Sequence, residues 1–154
     1  MKRLLFALLL AVAAPLFGEE DVKKVVVELT SGEIGKIKGL ISGLSQASEH
    51  YTSRLEELEA AVVVHGDAYK FFLKDPAHSP YADDKELLAQ REELALRLKT
   101  LVETYHVQFD MCSIGMKKRG ITKEMLYPFV TPVFSTLTGL IDRQSDGYAY
   151  FRVE

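Results

Sequence analysis

Lys23 to Leu29 reads KKVVVEL, a β-branched run closed by Thr30, Ser31 and Gly32, and it predicts a first strand buried on both faces. From Glu33 the apolar positions Ile34, Ile37, Leu40, Ile41 and Leu44 recur at helical spacing. They predict a helix to about Tyr51, with Ser31 in place to cap it. Leu58 to Val64, LEAAVVV, is a second strand ended by His65-Gly66, after which Asp67 opens a short helix over AYKFFLK. Residues 75–82, with Pro76, Ser79 and Pro80, have the composition of an exposed loop.

Asp83 and Asp84 start the longest helix, whose stripe is Leu87, Leu88, Leu94, Leu98, Leu101 and Val102. Val107 to Cys112, VQFDMC, is a third strand, followed by a helix from about Ile114 to Arg119 that Gly120 ends. A helical turn over Ile121 to Leu126, a short strand over Val130 to Phe134 holding Pro132, and a helix from near Ser135 through Leu137 to Gln144 come next. Tyr148 to Val153, YAYFRV, is the closing strand, its aromatic residues suited to core or subunit interface. Strands and helices alternate almost throughout. The expectation is therefore an α/β fold, a three-layer α/β/α sandwich around a mostly parallel sheet of about five strands.

The first residues stand apart from this pattern. Lys2 and Arg3 precede an apolar run from Leu4 to Ala14, with Pro15 and then Glu19 and Glu20 beyond it. This is the layout of a secretory signal peptide, and the run is too short for the roughly 20 apolar residues of a membrane span. Cleavage is expected after Ala13 or Gly18, so residues 1–18 read as signal peptide and residues 19–154 as one domain with a single core. No stable membrane insertion is expected once the signal is cleaved.

With 19 Lys plus Arg against 22 Asp plus Glu the net charge is −3, and losing Lys2 and Arg3 makes it two units more negative. Such a balance disfavours nucleic acid or anionic lipid as the main partner. One cysteine, Cys112, cannot form an internal disulfide. A lone thiol in an oxidising compartment is either buried and inert or kept for its reactivity.

In open parallel sheets reactive groups gather beyond the carboxyl ends of the strands. His65 closes the second strand and Cys112 the third, which puts both on one rim. Cys112 also precedes a helix whose N-terminal amides favour a thiolate, and Lys117, Lys118 and Arg119 follow it. Imidazole titrates near neutrality, which suits His65 to proton transfer at a sulfur centre; its plainer role is to bond a nearby loop. His50, His78 and His106 are scattered without metal-site spacing, so no metal cofactor is expected. Thr30-Ser31-Gly32-Glu33 has one glycine where a phosphate-cradling loop needs several, and Ser113 lacks the glycines of a nucleophile elbow.

The opening KKVVVEL, the ending VVVHG of the second strand, the strand-end cysteine in FDMCSIGMKKRGI and the closing DGYAYFRV occur in one order along the chain. In these landmarks the chain resembles the DsrE/DsrF-like sulfur-relay family, in its small exported bacterial branch. The resemblance implies a three-layer α/β/α fold assembled into homo-oligomers, often trimers or hexamers. It also implies that Cys112 carries sulfur as a persulfide for hand-off to a partner protein, with His65 as a second site residue and no organic cofactor. An exported member would work in the periplasm, whereas well-understood relay members are cytoplasmic. Two other classes stay open: a noncatalytic oligomeric binding protein of the same fold with a structural Cys112, and a binding module for a small anion or nucleotide.

Overall fold

The computed structural model describes residues 22–154, so the expected signal peptide lies outside the described residues. Five strands, β1 (Lys23–Leu29), β2 (Leu58–Val64), β3 (Gln108–Cys112), β4 (Val130–Val133) and β5 (Ala149–Val153), form one sheet in the order β4-β3-β2-β1-β5. Every pairing in it is parallel. Helices α1 (Ile34–Thr52), α2 (Lys85–Tyr105), α3 (Ser113–Lys118) and α4 (Thr136–Ser145) connect the strands.

The strand order explains the layers. The chain steps outward from β1 through β2 and β3 to β4, then returns across the sheet to β5. Right-handed crossovers place helices of the outward steps on one face and the return helix on the other. On the first face α1 buries Ile34, Ile37, Leu40, Ile41 and Leu44, and α2 buries Leu94 and Leu98, in one core with Val27, Val62, Val64 and Phe109 of the sheet. On the opposite face α4 lies over β1, β2 and β3, where Val26, Ala61, Val63 and Tyr148 form a smaller cluster. The result is the three-layer α/β/α sandwich that the alternating elements predict.

Local chemistry differs from the sequence expectations at several element ends. Ser31 does not cap α1: its Oγ accepts from the Glu33 N–H at 3.2 Å and closes the preceding turn, while Glu33 is the capping position. Asp67 makes no side-chain cap either, and the segment after it is a 3-10 helix over Ala68–Phe72. Residues 75–82 hold another 3-10 turn, Pro76–His78, with Pro76 buried. Asp84 does cap α2, accepting from the Leu87 N–H. His106 ends α2 in the left-handed region at φ 55°, and β3 therefore starts at Gln108. The turn expected over Ile121 to Leu126 is a 3-10 helix at Lys123–Met125. Pro132 is tolerated because β4 is an edge strand.

Candidate functional site

All five strands point the same way, so Leu29, Val64, Cys112, Val133 and Val153 end at one rim. The register sets Cys112 beside Val133 and Met111 beside Val64. Cys112 is the last residue of β3 and the capping position of α3. Two residues past Val133, Ser135 caps α4 by accepting from the Thr138 N–H. The starts of α3 and α4 are thereby carried to the same thiol.

Cys112 is 7% exposed. Burial pushes its thiol pKa up, but the polar groups nearby, led by the Gly115 N–H and the Thr136 hydroxyl, outweigh it, and the net shift is downward. Its Sγ makes no capping hydrogen bond to α3. Tyr69 has one proton to give, and it donates to the Cys112 carbonyl at 2.8 Å. Burial, and then the bond to Cys112, pushes the Tyr69 phenol up, which keeps it a protonated donor.

Gly115 is required by space. A Cβ there would lie 2.0 Å from the Tyr69 hydroxyl oxygen, and Tyr69 is itself buried. Gly115→Ala is expected to displace the ring and lower stability by about 1–3 kcal/mol. A thermal melt checks this; an unchanged melting temperature would show that the Tyr69 ring moves aside without cost.

Of the basic run, Lys117 and Lys118 are exposed in the last turn of α3. Arg119 alone turns back to the site, its guanidinium 4.9 Å from the Tyr69 ring centroid and 3.7 Å from Asp67. His65 is on the same rim but bonded in the other direction. Its Nε2 pairs with Glu28 Oε1 on β1 at 2.7 Å, and Tyr150 of β5 donates to the other Glu28 oxygen. Burial pushes the Glu28 carboxyl up, but the bonds from Tyr150 and His65 and the charges of His65 and Arg152 bring it below its ordinary value. The partners of Cys112 are on α3, α4 and Tyr69, and those of His65 on β1.

Tyr69, Gly115 and Thr136 are not among the residues that the sequence singles out. Gly115, three residues beyond Cys112, offers a local signal; Thr136 becomes a neighbour only through the β3–β4 register. Among the described residues no group of three or more His, Cys, Asp or Glu is placed to hold a metal ion.

Comparison with known proteins agrees with the architecture. An uncharacterized protein of Aquifex aeolicus is 25% identical over 136 residues, covering 88% of this chain; the chain spans 58% of that relative's length. A solved structure, the protein of unknown function MTH1491 from Methanobacterium thermoautotrophicum, superposes with a TM-score of 0.58 at 23% identity, covering 84% of this chain and 98% of its own. That likeness shows a shared fold. The DsrE/DsrF-like family model matches residues 16–153, nearly the full length described above, and the chain belongs to the DsrE/DsrF-like family.

Proposed function

We propose that this protein binds sulfane sulfur as a persulfide on Cys112 and hands it to a partner protein, acting in the periplasm after export. The observation that carries the reading is the meeting of two helix starts on one thiol, which lowers its pKa despite burial. Family membership supports sulfur-relay chemistry as its context.

In loading, the Cys112 thiolate attacks the terminal sulfur of a polysulfide or of a donor persulfide. One S–S bond forms as another breaks, and the donor leaves as a shortened polysulfide or a thiolate. In hand-off, an acceptor thiolate attacks the outer sulfur and the Cys112 thiolate departs. Neither step needs an external oxidant or reductant. The donors around the sulfur favour both anions, the thiolate and the persulfide.

Ile114, Phe134 and Leu137, close in sequence to Cys112 or to its neighbour Thr136, are exposed apolar residues on this rim. They suit a protein partner that shields the sulfur during transfer. His65 is assigned proton transfer on the same rim, and the protein is assigned a homo-oligomeric state, trimer or hexamer. The signal-like residues 1–18 support export.

The low exposure of Cys112 favours a second reading, a noncatalytic oligomeric protein whose cysteine is structural. Intact-mass measurement after polysulfide treatment separates the two. Sulfur carriage predicts a gain of about 32 Da per sulfur, reversed by reductant. A structural cysteine predicts no gain in the folded protein.

A further inference from the structure

At the end of the sheet opposite Cys112, β2 and β3 start at Leu58 and Gln108, and α1 and α2 finish at Thr52 and Tyr105. These four ends enclose a cavity of about 510 Å³, whose lining includes Ser48, Glu56, Glu57 and His106. Ser48, near the end of α1, is 7% exposed, and its covered Oγ has no hydrogen-bond partner. A helical serine can return its hydroxyl to the preceding turn, as Ser45 does to the Ile41 carbonyl at 3.0 Å; Ser48 does not. A buried hydroxyl left unbonded is costly. The surroundings set the charge of a group that would bond it. Glu57 makes no ion pair among the described residues. Glu56 Oε2 is buried without a hydrogen bond, although Arg54 Nε lies 3.1 Å away. Glu59, the third carboxylate of the lining, is taken up by Lys24 and the Tyr148 hydroxyl. Both helices also bring the negative ends of their dipoles to the cavity.

We propose that this cavity binds a small primary amine, of which a short aliphatic diamine is the best match. An ammonium group supplies three donors and no acceptor, which suits the Ser48 hydroxyl and the Glu56 carboxylate. The second ammonium of a diamine meets the unpaired charge of Glu57. A quaternary ammonium carries the charge without the donors that the hydroxyl needs. A metal ion suits the lining less, because among the described residues no group of three or more His, Cys, Asp or Glu is placed to hold one. The site lies across the sheet from Cys112 and depends neither on sulfur carriage nor on assembly.

Isothermal titration with putrescine at low ionic strength tests the site, with choline and magnesium as probes of charge alone. Putrescine is expected to bind, and choline and magnesium to give no comparable heat. Ser48→Ala is expected to weaken putrescine on the order of tenfold. The same variant is expected to keep or raise the melting temperature, because alanine removes an unbonded buried hydroxyl and favours a helix. A serine with a purely structural role would leave the affinity unmoved. Glu57→Gln is expected to weaken binding and to flatten its dependence on salt. No heat with putrescine, equal binding of choline or magnesium, or an unchanged affinity in Ser48→Ala would overturn the amine site.

Discussion

The Cys112→Ser protein is expected to take up no sulfur from polysulfide, with its stability within about 2 kcal/mol of the parent. The substitution keeps the size of the side chain and offers the surrounding donors an oxygen to bond. It removes the nucleophile, since a serine hydroxyl remains protonated where a thiol with a lowered pKa ionises. Mass spectrometry reads the loss and a thermal melt reads the fold. Sulfur retained by the folded variant would place the chemistry on another residue.

The second large effect concerns stability. Asp110 is buried on β3, and Arg143 of α4 donates to its Oδ2 from Nε at 2.9 Å and from Nη2 at 2.7 Å. Arg143 also reaches Tyr148, whose hydroxyl donates to Glu59, so the ion pair is one part of a polar line beneath α4. Burial lowers the Arg143 pKa, but Asp110 outweighs it and raises the net value, as a paired cation requires. Arg143→Met leaves the Asp110 carboxylate buried and unpaired, and is expected to cost about 3–5 kcal/mol. Adding Asp110→Leu is expected to recover much of the loss. Denaturant melts check both; a loss below about 1 kcal/mol would mean that Asp110 is solvated.

The strands were legible because parallel strands buried on both faces leave apolar runs, as VVV in β1 and AAVVV in β2 do. The parallel rim, and with it the placing of Cys112 and His65 on neighbouring strand ends, followed from alternating elements. Caps were less legible. Ser31 and Asp67 have the right residue types, yet one closes a turn and the other faces Arg119, because tertiary partners compete for short polar side chains. The surroundings of the sulfur were hidden for a related reason. Tyr69 and Thr136 lie 43 and 24 positions from Cys112, and only strand register brings them to it.

Sulfur carriage requires that Cys112 be an ionised, reachable thiol despite its burial. The most direct measurement is the alkylation rate of the folded protein across pH, with the unfolded chain as reference. The expected midpoint lies below that of the unfolded chain and is moved upward by Thr136→Val. A thiol that reacts only on unfolding, or whose folded midpoint lies above the unfolded one, would contradict sulfur carriage.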